Sequence, residues 1–296
     1  FRLPNQKTWT PRNYDNKFHG RVTLRTALAS SYNIPAIKLL NRNGITQMVI
    51  LAQKMGITTW NDPSRYGLSL TLGSNEVKMT DLAEVYGTFA NLGHHVELTP
   101  IISITDSDNQ PLQYSPCPDS KCQPQEVINP STAFLINDIL SDPQARAPAF
   151  GYNSILNIPQ HQVAVKTGTS NDLRDNWTIG YTSDQLVVTW VGNNDNTPMS
   201  KVASGITGAS PIWAKTINLS LQNRTTAHQF SSPETVVKVA ICPLTNTLTC
   251  DACPNPKLET FATGTQPKTA CTQKQIQAII TPQTTPSNQP LAETKK

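Results

Sequence analysis

The chain has 296 residues, 24 Lys and Arg against 20 Asp and Glu, a formal net charge of +4 and 15% charged residues. That length can bury one large core, or one core plus a small appendage, and the second arrangement is expected here. No Lys/Arg block interleaved with aromatics occurs, which argues against a nucleic-acid partner, and no run approaches the roughly 18 to 20 apolar residues of a membrane span.

Residues 1–21 are rich in Pro, Asn and Lys and read as an irregular lead-in. Thr23 can cap a helix carrying Leu24, Ala27 and Leu28, and Pro35 suits the first turn of a second helix, so Ser31-Tyr32-Asn33 is expected to be a turn between two helices. Further helices are expected at 45–55 and at 79–92, where Met79, Leu82, Ala83, Tyr86, Phe89 and Ala90 make an apolar stripe ending at Gly93 that reads as core. Residues 101–114 read as a hairpin with Asp106-Ser107-Asp108-Asn109 as its turn. Asn129 and Pro130 open a helix through Phe134, Leu135, Ile139 and Leu140, after which Pro and Gly break the pattern until a strand near 162.

Three antiparallel strands follow. The apolar run Val163-Ala164-Val165 leads into Lys166-Thr167-Gly168-Thr169, read as an edge strand; Trp177, Ile179 and Tyr181 alternate with polar residues as in a half-buried strand; and 186–191 is apolar enough for a central strand. Ser210 and Pro211 start a helix running to about Gln222 that can lie across this sheet. These boundaries divide the chain into a main domain over 1–224, a cysteine-bearing extension over 225–273 with a strand at 236–241, and a Thr, Pro, Gln and Lys tail over 274–296 that lacks the apolar content to order.

The six cysteines are Cys117 and Cys122 in a Pro-rich loop, then Cys242, Cys250, Cys253 and Cys271. An even number in loop-rich segments favours disulfides and an oxidising compartment over a four-cysteine zinc site built on Cys250-Asp-Ala-Cys253, whose outer spacings are irregular.

Lys166-Thr167-Gly168-Thr169 carries the clearest chemistry. With period 2 along a strand, Thr167 and Thr169 share one face, Lys166 projects from the other, and Gly168 leaves the backbone bare. An extended acyl substrate could pair with such a strand, lay a carboxylate on the threonine hydroxyls and meet the Lys166 ammonium. Lys-Thr-Gly is accompanied in serine acyltransferases by Ser-x-x-Lys and Ser-x-Asn. Ser-x-Asn occurs twice here, and Ser107-Asp108-Asn109 is set aside as hairpin-turn chemistry, whereas Ser31-Tyr32-Asn33 sits between two rigid helices that can aim a hydroxyl and an amide at a cleft.

With these residues the chain resembles the transpeptidase domain of class A penicillin-binding proteins, most closely the penicillin-binding protein 1C type. The resemblance runs through Thr10-Pro11-Arg12-Asn13-Tyr14, the segment from Val22 through Asn33 to Leu40, Tyr66-Gly67-Leu68 with Leu72-Gly73, Phe89-Ala90-Asn91-Leu92-Gly93, Ala145 to Gly151, which is similar to the 1C type in particular, Lys166 to Tyr181, Trp190-Val191-Gly192-Asn193 and Gly208 to Trp213. It implies an α+β, β-lactamase/transpeptidase-like fold in which an antiparallel sheet is flanked by helices and joined to an all-helical lobe. It also implies that Ser31 relays a proton near the nucleophile and leaving amine, Asn33 holds the substrate's acyl side chain, Lys166 stabilises charge and holds the Ser31 hydroxyl, Thr167 and Thr169 bind the substrate carboxylate, Thr169 N–H is an oxyanion donor, and Gly168 permits close approach.

No serine in the chain is followed three residues later by Lys. The family places that nucleophile upstream of Ser-x-Asn, so a C-terminal fragment is expected, without the nucleophile helix, the N-terminal strands, a membrane anchor and a glycosyltransferase domain. The strand at 186–191 would then expose an edge. The implied activity is D,D-transpeptidation of D-Ala-D-Ala stem peptides of peptidoglycan outside the cytoplasm, with β-lactams as inhibitors, no cofactor or metal, and membrane contact only through an upstream anchor. The fragment by itself is expected to be inactive. The other reading is a non-catalytic module that binds peptidoglycan peptides.

Overall fold

In the computed structural model, which describes residues 9–114, 123–199, 206–224 and 227–281, ordered helix begins where Thr23 places it. Thr23 Oγ1 accepts the N–H of Thr26, and α1 runs Leu24–Ala29. Helices α2 (Asn33–Asn43) and α3 (Ile45–Lys54) are joined by Gly44 alone, at φ 88°, a left-sided value open to glycine without steric cost. Ile37, Leu40 and Val49 from this pair close a helical-lobe core with Ile57, Trp60, Leu68 and Leu70. Helix α4 (Met79–Ala90) joins it through Leu82 and Val85. Its apolar stripe is only partly covered. Met79 is exposed, and the buried positions are polar: Asp81, whose carboxylate accepts the N–H and Oγ1–H of Thr58 at 2.7 Å each, and Thr88, whose hydroxyl donates to Glu84 O.

Strand β1 (His94–His95) pairs with β2 (Gln125–Glu126). Between them lies the expected hairpin, a short one with a single bridge, Thr105 to Pro111, in which Asp106 N donates to Gln110 O and Leu112 N to Ile104 O, and the Asp106 carboxylate braces the turn by accepting the N–H groups of Asp108 and Gln110. Cys117 and Cys122 lie outside the described residues.

Helix α5 (Pro130–Leu140) starts at Asn129, which accepts the N–H of Ser131. Helix α6 (Pro143–Phe150) was not expected. Its prolines read as breakers, yet Asp142 accepts the N–H groups of Gln144 and Ala145 and Pro143 takes the first helical position, where a missing N–H costs nothing.

Strands β3 (Ala164–Thr169), β4 (Asp175–Tyr181) and β5 (Leu186–Gly192) form an antiparallel sheet in that order, with Lys166 opposite Ile179 and Trp177 opposite Trp190. β3 is an edge, as its sequence suggests. β5, apolar enough for a central strand yet expected to expose an edge in this chain, is the other edge among the described residues, and β4 is in the middle. The apolar character of β5 comes from cover on its faces, by α7 (Ala209–Leu221) and by α4. β4 is likewise buried on both faces and not half-exposed: Asn176 Oδ1 accepts the N–H of Ala209 and Thr178 Oγ1 meets Ser210 Oγ at 2.9 Å on the α7 side, while Tyr181 packs on Tyr86 on the other. Gly180 is required by close approach, since a Cβ there would lie 2.3 Å from Cζ2 of the fully buried Trp213. Val163, Val165, Leu156 and Ile158 close this core against Trp213, Ile217 and Leu221. The segment after α7 returns to the sheet: Gln162 N donates to His228 O, Phe230 N donates to Gln162 Oε1, and the Phe230 ring stands edge-on to Tyr181.

The chain divides into two compact units, Phe1–Pro233 and Glu234–Lys296. In the second, β6 (Val236–Cys242) lies between β7 (Thr247–Leu248) and β8 (Lys257–Ala262). Cys242–Cys253 and Cys250–Cys271 are disulfides, which removes the zinc alternative for these thiols. Helix α8 (Gln273–Ile280) occupies the first part of the segment expected to lack structure. Thr272 and Gln275 form a reciprocal capping box, and Ile276 is buried against the disulfides, an apolar anchor that the polar composition concealed. Residues 282–296 lie outside the described residues.

Candidate active site

Two segments 135 positions apart meet at one hydrogen bond: Lys166 Nζ donates to Ser31 Oγ at 2.6 Å. Ser31 is held by the end of α1. Tyr32 N donates to Ala27 O and Ser31 N to Leu28 O, the paired bonds of a Schellman cap, with Ser31 in the left-handed position at φ 57°. Glycine is the usual occupant there; a serine at that point accepts backbone strain in return for a hydroxyl. Asn33 is the first residue of α2 and not part of the turn, and its Nδ2 donates to Arg12 O at 2.9 Å. Asn13 Oδ1 accepts the N–H of Ile34, so the lead-in segment holds both the Asn33 side chain and the start of its helix.

Lys166 is half-buried in the middle of β3, and Nζ also donates to Thr167 O at 2.8 Å. Burial penalises its charged form and brings its pKa from 10.5 down to about 8. At neutral pH the group therefore stays mostly protonated, though much nearer its pKa than an ordinary lysine. Beyond it, Gly168 lies opposite Trp177, where an added Cβ would find ordinary contact at 3.5 Å, so nothing on its own sheet demands a glycine. Thr167 and Thr169 alternate to the other face. Among the described residues β3 pairs only with β4, and the side away from β4 is the one along which an extended peptide can add.

The turn that follows is fixed by residues the sequence did not single out. Ser170 N donates to Asp175 O, Asp175 N to Ser170 Oγ at 2.8 Å, Ser170 Oγ to Asp175 Oδ2 at 2.9 Å, and Trp190 Nε1 to Asp175 Oδ1 at 3.0 Å. A Ser and an Asp bracketing a short gap between strands was the available signal. Arg12 and Asn13 stand in the Thr10-to-Tyr14 stretch of the resemblance, but what they hold was not legible, because their partners lie about twenty residues away. The other Ser-x-Asn behaves as turn chemistry: Ser107 is exposed in the hairpin turn.

The assembled elements match known proteins. Residues 2–218 match the penicillin binding protein transpeptidase domain and residues 232–275 the C-terminal domain of penicillin-binding protein 1A. The chain belongs to the penicillin-binding protein transpeptidase domain family, and its mixed helix and antiparallel-sheet architecture is β-lactamase/transpeptidase-like. It is 31% identical to penicillin-binding protein 1A of Neisseria lactamica over 222 residues, covering 75% of this chain and 27% of that protein. To penicillin-binding protein 1A of Clostridium acetobutylicum it is 30% identical over 236 residues, 79% of this chain and 28% of that one. Among solved structures, penicillin-binding protein 1A from Haemophilus influenzae superposes with a TM-score of 0.78 at 25% identity, over 92% of this chain and 44% of that chain. PonA1 from Mycobacterium tuberculosis in complex with penicillin V shares the fold at a TM-score of 0.59 and 20% identity, over 75% of this chain and 61% of that one. The chain spans about a quarter of the length of the curated relatives it matches. Those relatives are of the 1A type; the stretch from Ala145 to Gly151, singled out for its likeness to the 1C type, forms most of α6 and its glycine end.

Proposed function

We propose that the chain carries the substrate-binding and proton-handling side of a peptidoglycan D,D-transpeptidase site that works outside the cytoplasm. The observation that carries this reading is the Lys166–Ser31 hydrogen bond, made from a strand that among the described residues pairs on one side only. A stem peptide ending in D-Ala-D-Ala lies along β3, its terminal carboxylate on the hydroxyls of Thr167 and Thr169 and its acyl side chain on the Asn33 amide. A serine hydroxyl attacks the carbonyl between the two alanines and the Thr169 N–H steadies the oxyanion; as the C–N bond breaks, the proton given up by the attacking serine passes through the Ser31 hydroxyl to the departing D-alanine amine, while Lys166 holds that hydroxyl and stabilises the charge. An acceptor amine then resolves the acyl-enzyme. β-Lactams, which imitate the D-Ala-D-Ala amide, inhibit by stopping at that ester. The two disulfides suit an oxidising compartment. A bifunctional glycosyltransferase/transpeptidase is the reading for the longer protein.

None of the 296 residues forms a Ser-x-x-Lys word, so in this reading the attacking serine comes from a separate segment. Labelling with a fluorescent penicillin, followed by peptide mapping, tests the assignment. The 296-residue chain is expected to stay unlabelled, while a chain that also carries a Ser-x-x-Lys segment is labelled, and Lys166→Ala and Asn33→Ala each lower that labelling about 10²-fold. Covalent label on Ser31 in the 296-residue chain would overturn its role as a proton relay. The missing nucleophile word is also what favours a non-catalytic peptide-binding module, and failure of the longer chain to label while it still binds stem peptide would establish that alternative.

A further inference from the structure

Two neighbouring residues of α5 reach in opposite directions. Asn137, fully buried, accepts the Tyr181 hydroxyl at 2.7 Å and donates Nδ2 to Phe89 O at 2.7 Å, which locks α5 to the middle strand of the sheet. Asp138 faces α1, where its Oδ2 accepts Arg25 Nη2 at 2.5 Å. Arg25 Nη1 reaches on to Asp142 Oδ2 at 3.2 Å and to Asp138 O at 3.3 Å. All three side chains are largely buried, at 15%, 13% and 25% exposure. Five residues on, just past the end of α1, the buried Ser30 hydroxyl donates to Ala145 O of α6 at 2.9 Å. Asp142 is itself the cap of α6, so the same carboxylate starts one helix and receives the arginine of another.

We infer that Arg25 and Ser30 are positioning residues that hold the left-handed Ser31 turn at a fixed distance from β3, so that the Ser31 hydroxyl stays on Lys166. This rests on the proton-handling roles proposed for Ser31 and Lys166. A non-glycine residue in the left-handed region persists only where its surroundings over-determine it. The cap bonds of Tyr32 and Ser31 fix the turn relative to α1, but they say nothing of where α1 stands relative to the sheet. That second constraint comes through α5, which packs on both α1 and β3, and through α6. The guanidinium is suited to it, since its planar fork engages two carboxylates at once and sets direction as well as distance. Ser30 adds a contact adjacent to the residue being aimed. Neither side chain touches the place a substrate would occupy; both act through Ser31.

The 296-residue chain, labelled with ¹⁵N and ¹³C lysine, allows the Lys166 ammonium to be titrated by NMR. With the ammonium still half-buried, losing the hydroxyl that accepts from it disfavours the charged form, so Ser31→Ala should lower its midpoint by about one unit. Ser30→Ala and the charge-conserving Arg25→Lys should lower it by at least about half as much. Val49→Ala, which opens a cavity in the helical lobe, should leave the Lys166 midpoint where it is, showing that loss of stability alone does not move the signal. If Ser31→Ala leaves the midpoint unchanged, the Ser31–Lys166 reading fails and the inference falls with it. If Ser31→Ala lowers the midpoint while Ser30→Ala and Arg25→Lys leave it unmoved or raise it, the reading stands and the positioning roles are refuted.

Discussion

Replacing Ser31 by Gly and, separately, by Ala separates strain from hydrogen bonding at the centre of the site. Both changes remove the hydroxyl that accepts from Lys166, a charge-assisted bond worth about 1.5–3 kcal/mol when both partners are well buried and less at this half-buried pair. Only glycine also removes the Cβ from the left-handed position at φ 57°, which relieves about 1–2 kcal/mol. The freer glycine chain in the unfolded state takes back about 0.4–1 kcal/mol. Ser31→Gly should therefore be more stable than Ser31→Ala by about 0.5–1 kcal/mol, and close to the parent chain in total. Urea unfolding followed by tryptophan fluorescence, with a shared slope for the three proteins, reads this difference from the midpoints. Equal stabilities for the two variants, or a more stable alanine variant, would refute the claim that the site stores backbone strain at Ser31.

Lys166 makes stability depend on pH: its folded pKa of about 8 lies below the ordinary 10.5, so between those values the unfolded chain binds more protons and stability rises with pH. Relative to Lys166→Met, the parent chain should gain about 2 kcal/mol from pH 8 to 10.5, the full shift being discounted for the partial exposure of the side chain, and a flat difference in denaturant unfolding would contradict it. Gly180→Ala should cost about 1–3 kcal/mol and disturb the near-ultraviolet signal of Trp213, because the new methyl collides with a ring that has no room to move. In denatured, unreduced protein Cys242, Cys250, Cys253 and Cys271 should react with no thiol reagent. The double variant Cys250→Ser/Cys271→Ser, which opens a link of sequence separation 21, should lower the stability of the second unit by about 3 kcal/mol in thermal unfolding.

What the sequence disclosed was what local chemistry decides. Thr23 and Asn129 cap the helices they precede, Pro35 and Pro130 sit in first turns, and the apolar run before Lys166 forms a strand at the sheet's edge. Where expectation failed, a distant partner had changed the meaning of a residue. Asn176 and Thr178 look like a solvated strand face until α7 lays Ala209 and Ser210 on them. Pro143 reads as a breaker unless Asp142 before it is recognised as a cap. The residues proposed for the site were legible as words, Lys-Thr-Gly-Thr and Ser-Tyr-Asn, but what holds them was not. Arg12, Asn13 and Asp138 act through contacts whose partners no short window contains.

The return of the chain to the sheet at Gln162 has a mechanical consequence. His228 and Phe230 are fastened by two hydrogen bonds to one glutamine and by the buried Phe230 ring, and only Ser231, Ser232 and Pro233 then separate that fastening from Glu234. Tension applied to the chain beyond Pro233 is met at this anchor before it can reach α7. To pass it, the load has to break both hydrogen bonds and draw the Phe230 ring out of its buried position. The first unit is in this way shielded from tugging on the polypeptide that leaves it.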